Sequence, residues 1–144
     1  MEYKAYCLFA EDVRQEVGNK SSLMGVYSGT LFVETFPTDL QGLWVCAFLT
    51  APYKKKFNSA SLIVRLDEEN LAEHVLPKEF IQSFWDEHTA IVKNEDNPAT
   101  YNATLPMHIM ISPLVVDKPA KIEIKLQVDE FTITAGSLNI YQQL

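Results

Sequence analysis

Near the end of the chain, "KIEIKLQV" alternates without a break: Ile122, Ile124, Leu126 and Val128 are apolar, and Lys121, Glu123, Lys125 and Gln127 are polar. Successive side chains of a strand point to opposite faces, so this stretch reads as a strand with one buried face and one wet face. Asp129-Glu130 then turns the chain into "FTITAGSLNIY", where Phe131, Ile133 and Ala135 continue the inward set. A two-residue loop pairs Val128 with Phe131 and Leu126 with Ile133. After Gly136 the apolar phase moves from odd to even positions, to Leu138 and Ile140. One extra residue at Gly136-Ser137 restores the register and sets Leu138 opposite Ile122. This pair of strands is a hairpin, and it constrains the rest of the chain to supply a β partner for its buried face.

Other segments meet the same test. "SASLIVRL" carries Ala60, Leu62, Val64 and Leu66 on one face, and "LPMHIMI" offers Leu105, Met107, Ile109 and Ile111 inward with His108 outward. "GLWVCAFLT" is apolar on both faces, which suits a central strand covered on both sides. Tyr3 to Ala10 is a strand, and "SLMGVYSGTLFVE" is a long one interrupted at Gly25 and Gly29. One segment departs from this pattern. In "PKEFIQSFWDEH", Phe80, Ile81, Phe84 and Trp85 recur at helical spacing, and Pro77 suits a first helical position. The expected element is a short amphipathic helix from about Pro77 to Glu87, over one open end of the sheets. The 144 residues, 47% of them hydrophobic and 22% charged, are enough for one core and show no linker that divides the chain. The expected fold is all-β, a single domain over residues 1–144: an antiparallel immunoglobulin-like or Greek-key β-sandwich with one short helix.

"EDVRQEVGNKSSLMGVYSG" concentrates charge between two apolar runs. Gly18 and Asn19 tolerate positive φ in a tight turn, so the stretch reads as a hairpin. Val13 and Val17 then face inward, while Asp12, Arg14 and Glu16 face water. Solvation accounts for the charges. The run "EDVRQEVGNKSSLMGVYSGTLFVETFP", with "GSLNIY" near the end, resembles a family of bacterial and phage proteins catalogued as a domain of unknown function. Its pattern falls here on Glu11, Asp12, Arg14, Glu16, Gly18, Lys20, Gly25, Val26 and Tyr27. The resemblance is closest over the first quarter of the chain and departs from the family at "VLPKEFIQSFWDEH". It implies a β fold and carries no activity with it.

The residues themselves point away from catalysis. Glu11 and Asp12 fall on opposite faces of a strand and do not converge on a metal or a substrate. His74, His88 and His108 lack the HxH, HExxH or Cys-His spacing of a metal site. There is no GxSxG elbow, Walker loop or GxGxxG, and no cofactor is expected. Cys7 and Cys46, inside "AYCLF" and "LWVCAF", read as reduced, buried thiols.

Binding is the remaining class. A net charge of −7 disfavours direct contact with nucleic acid or an anionic membrane. No run approaches the length of a secretory or membrane-spanning segment, and the expected location is the cytoplasm. Phe80, Phe84 and Trp85 of the helix read first as core; as the alternative, Phe84 and Trp85 with Tyr53, Phe57 and Tyr101 in neighbouring loops are the candidate partner-binding residues, because exposed aromatics concentrate at interfaces. The acidic run Asp67, Glu68, Glu69 reads first as a turn and second as a negative patch. The expected function is a non-catalytic protein-binding or assembly module of bacterial or phage origin, with self-association through a sheet face or edge. The alternative is a phage-type inhibitor that presents an acidic surface to a host nucleic-acid-binding defence complex.

Overall fold

The computed structural model describes residues 2–144. Its main body is two sheets packed face to face around one core. Sheet A contains β1 (Lys4–Glu16), β2 (Lys20–Val26), β5 (Leu43–Pro52) and β8 (Asn102–Ile111), in the order β2-β1-β5-β8. Sheet B contains β3 (Thr30–Val33), β6 (Ala60–Leu66), β7 (Glu69–Val75), β10 (Ala120–Val128) and β11 (Phe131–Gln142), in the order β3-β11-β10-β6-β7. β4 (Thr38–Leu40) and β9 (Leu114–Val116) form a separate two-stranded ladder.

The C-terminal hairpin pairs as its alternation requires: Val128 opposite Phe131, Leu126 opposite Ile133, Ile122 opposite Leu138. The register shifts where Ile124 meets Gly136 and Lys125 meets Thr134, so the extra residue is Ala135, one position before Gly136-Ser137. Ile122, Ile124, Leu126, Val128, Leu138 and Ile140 are all fully buried. From sheet A, Val45, Ala47, Leu49 and Ala51 of β5 and Leu105 and Met107 of β8 complete the same core. At Gly136 the two sheets approach closely. A Cβ there would lie 2.7 Å from the Cys7 sulfur, so only glycine fits without displacing β1.

Four expectations need correction. The pairing is not wholly antiparallel, because β3 runs parallel to β11. "SLMGVYSGTLFVE" is not one strand: β2 belongs to sheet A and β3 to sheet B, with the crossing between Gly25 and Gly29, both at positive φ. Val17 does not face inward. It sits at the hairpin tip, 92% exposed, because β1 has by then left the body of the sheet. The helix α1 (Lys78–Val92) starts one residue after Pro77 and runs past Glu87. Val92 at its far end is buried, and that extra apolar contact extends the helix beyond the polar DEH segment. α1 joins β7, at the edge of sheet B, to β8, at the edge of sheet A. Among the described residues, no helix is long and apolar enough to cross a membrane.

Candidate functional site

The aromatic candidates do come together, but mostly inside the protein. Phe57 stacks on Phe84 at 6.0 Å and meets Trp85 edge-on at 5.2 Å, and Phe84 and Trp85 are 4.9 Å apart. The Trp85 indole N–H donates to the Phe57 carbonyl at 3.0 Å, satisfying both groups in a dry site. Phe57, Phe84 and Trp85 are buried, which removes them from a partner's reach and makes them the seat of α1. Tyr53 and Tyr101 stand at the rim, half-buried. The Tyr53 hydroxyl is 2.8 Å from Thr89 Oγ1, the Lys56 ammonium lies 3.5 Å above its ring, and the Tyr101 hydroxyl is 2.7 Å from His88 Nδ1. Burial lowers the His88 pKa, so the ring that meets Tyr101 is held neutral. These contacts fix the helix to the loops below it.

The acidic run is a turn, as its first reading required. Asp67 sits at φ +54, and its carboxylate accepts the Lys121 N–H at 3.0 Å while its own N–H donates to the Lys121 carbonyl at 2.8 Å. The Arg65 guanidinium donates to the Glu68 carbonyl at 2.9 Å, and Glu69 begins β7. The groove there sets Asp67, Glu68 and Glu123 among Arg65, Lys118 and Lys121. A neighbouring groove sets Asp67, Glu68, Glu69 and Asp117 beside a single base, Lys118, so the run borders one mixed groove and one mainly acidic one.

Neither cysteine is poised for chemistry. Cys7 points inward to Gly136 and Cys46, on the neighbouring strand, points outward; both are free thiols. Burial pushes Cys7 up to about 12 and Cys46 up to about 11, far from a thiolate at neutral pH. Among the described residues, no three His, Cys, Asp or Glu side chains are grouped to hold a metal ion.

A surface the sequence reading missed lies on the outer face of sheet A. The cross-strand rows are Tyr6–Phe48–Pro106, Leu8–Cys46–His108 and Val26–Ala10–Trp44–Met110, with Met24 beside Asp12 beyond them. Tyr6 stacks on Phe48 at 4.9 Å, and Phe48 meets His108 edge-on at 5.5 Å. Tyr6, Leu8, Met24, Val26 and Met110 are between 39% and 54% exposed. The middle of the outer face of sheet B is polar by contrast, with Lys121, Glu123, Lys125 and Gln127 beside Thr132 and Thr134. Its exposed apolar side chains, Phe32, Tyr141 and Val75, stand at the margins. The signal for the sheet A surface was present in "LWVCAFLT", whose two apolar faces suggested a strand covered on both sides.

Part of that face is roofed by the chain itself. β1 pairs with β5 only as far as Ala10–Trp44 and continues with β2 alone. Yet Asn19, at the tip of this ribbon, lines the same groove as Phe80, Phe84 and Ile91 of α1 and Thr104, Leu105 and Pro106 of β8. Pro106 lies in the Tyr6–Phe48 row, four residues back along the sheet from Met110. Sheet B occupies the inner side, so the ribbon turns back across the outer side. On the same face Cys46 is fully buried, and His108 Nδ1 is buried with no hydrogen-bond partner.

The family model of a family of unknown function, DUF6941, matches residues 5–141, a span that includes all but the first residue of β1, the ribbon, α1 and all but the last residue of β11, and the chain belongs to that family. No curated protein and no solved structure matches it.

Proposed function

We propose that this member of DUF6941 is a non-catalytic protein-binding module, of bacterial or phage origin, that docks its partner on the outer face of sheet A. The observation that carries the reading is the set of half-exposed Tyr6, Leu8, Val26 and Met110 on the outer face of sheet A. Aromatic and Met side chains on a charge-poor patch are the composition of an interface core, where desolvation supplies most of the binding energy. A charge borders the patch at one end, where Lys4 lies beyond Tyr6. That border sets orientation and excludes water around the apolar centre.

Site-specific photo-crosslinking in the source cell tests the reading. A crosslinking residue in place of Tyr6 or Met110 should give a discrete protein adduct, and one in place of Thr134 on sheet B should give none. Equal yields from both faces, or none from sheet A, would defeat it. Salt gives a second readout. An apolar interface keeps its affinity as salt rises, whereas a steep loss would favour the acidic surface acting on a basic, nucleic-acid-binding partner.

A further inference from the structure

The β1–β2 ribbon joins the body through a single interruption in its ladder. Its pairing holds one register from Ala10–Val26 to Glu16–Lys20 and is interrupted only at Glu11 and Gly25. Gly25 there has φ +65, in the left-handed region, and the Glu11 side chain packs directly against it, 2.8 Å from where a Cβ would stand. The turn back is therefore a bend of an intact ladder at one glycine, and straightening it breaks no cross-strand pair. Among the described residues, the side-chain hydrogen bonds and the ion pair of residues 12–24 stay inside the ribbon: Asp12 accepts the Val13 N–H at 2.9 Å and meets Arg14 Nε at 3.4 Å. The segment is also neutral. Asp12 and Glu16 balance Arg14 and Lys20 in a chain whose net charge is −7.

We propose that this ribbon is an exchangeable arm: straightened at Glu11 and Gly25, it lies across sheet A of a second copy of the chain, whose own arm returns the contact. The proposal rests on the reading of that sheet face as a docking surface and names its occupant. A second copy is favoured because the arm already fits this face, and the partner's face is the same face. Exchanging an identical element reproduces the same contacts at little cost and closes a two-fold dimer. A neutral arm crosses to a like-charged copy without bringing net repulsion.

Sedimentation equilibrium of the full chain from micromolar to millimolar concentration should show a species of twice the 16.4 kDa protomer mass. Gly25→Val disfavours the bent, positive-φ hinge and should tighten the dimer about tenfold. Replacing Arg14–Ser22 by an Asn-Gly turn removes the arm and should leave a monomer at every concentration. If Gly25→Val fails to fold, judged by near-ultraviolet circular dichroism, the full chain against the truncated one decides the matter. A dimer that survives truncation, or a full chain that stays monomeric to millimolar concentration, overturns the exchange. The docking reading stands or falls separately: crosslinks from Tyr6 and Met110 to another protein would uphold it in a monomeric chain, and their absence would sink it.

Discussion

Two hairpins of this protein begin alike and end differently. β1–β2 and β10–β11 are each long, each turned by residues at positive φ (Gly18 and Asn19 in one, Asp129 in the other), and each carries a glycine in its returning strand. β10–β11 lies within sheet B, its four alternating aliphatic side chains fully buried. β1–β2 leaves its sheet after Ala10 and Val26 and becomes an arm. Turn chemistry is equally sound in both, so it does not decide the outcome. The difference is apolar area on one face: Ile122, Ile124, Leu126 and Val128 each gain about 1.5–3 kcal/mol by burial, whereas residues 12–24 offer Val13 and Leu23 on one face, Met24 on the other and an exposed Val17 at the tip. Pairing makes a ribbon, and burial decides whether the ribbon belongs to the core.

The two glycines sharpen the contrast. Gly136 is required by its neighbour, the fixed Cys7 sulfur of the facing sheet, and Gly25 by its own backbone angle beside the flexible carboxylate of Glu11.

Substitutions that probe this contrast are ordered by expected size. Leu126→Ala should cost about 2–5 kcal/mol in denaturant unfolding, since it opens a cavity in the centre of the core; a cost as small as that of Leu23→Ala in the arm would erase the distinction between the hairpins. Gly136→Ala should cost about 1–3 kcal/mol through the clash with Cys7, and the double variant Cys7→Ala/Gly136→Ala should recover most of it. An additive double variant would show that the sheets do not meet there.

A smaller effect is read by pH. Burial lowers the His108 pKa below its ordinary value near 6.5. The unfolded chain therefore takes up the proton first, so the stability this ring contributes is full above about pH 6.5 and is lost as pH falls toward the lowered folded value. His88 is shifted in the same direction and adds the same sign. Nuclear magnetic resonance titration of the His108 ring should give a depressed midpoint in the full chain and a midpoint nearer 6.5 once the arm is truncated. An unchanged midpoint would mean that the arm does not cover this ring.

The smallest effects belong to the wet faces. Lys125→Ala removes a 3.7 Å pair with Glu123 and a 3.3 Å hydrogen bond to Thr134 and should cost under about 1 kcal/mol in the same unfolding assay. Val17→Ala at the arm tip should fall within about 0.5 kcal/mol of zero.

Much of the fold was legible because its signals are local. The alternation of residues 121–128 gave the strand, its inward face and the pairing of Leu126 with Ile133, and the phase change after Gly136 announced a bulge within one residue of its place. The spacing of Phe80, Ile81, Phe84 and Trp85 gave the helix, although Phe80 stands exposed while the other three are buried. β4, β7 and β9 were not legible. β7 is exposed along its length and carries no alternation, so only its ladder with β6 makes it a strand. The aromatic candidates were grouped correctly, and Phe57, Phe84 and Trp85 lie in the core while Tyr53 and Tyr101 stay half-buried, because exposure depends on what lies beneath rather than on local spacing.

The sequence by itself determined where the chain alternates, where it turns and which side chains seek the core, since each depends on residues within a few positions of one another. The tertiary structure alone decided that the strand through Val26 and the strand from Thr30 enter different sheets, that β3 pairs in parallel with a strand more than a hundred residues later, and that the outer face of sheet A stays apolar beneath a returning arm. Those outcomes depend on which distant surfaces meet. A residue's neighbours along the chain set its preferred face, and the packed sheets set whether that face meets core, water or another protein.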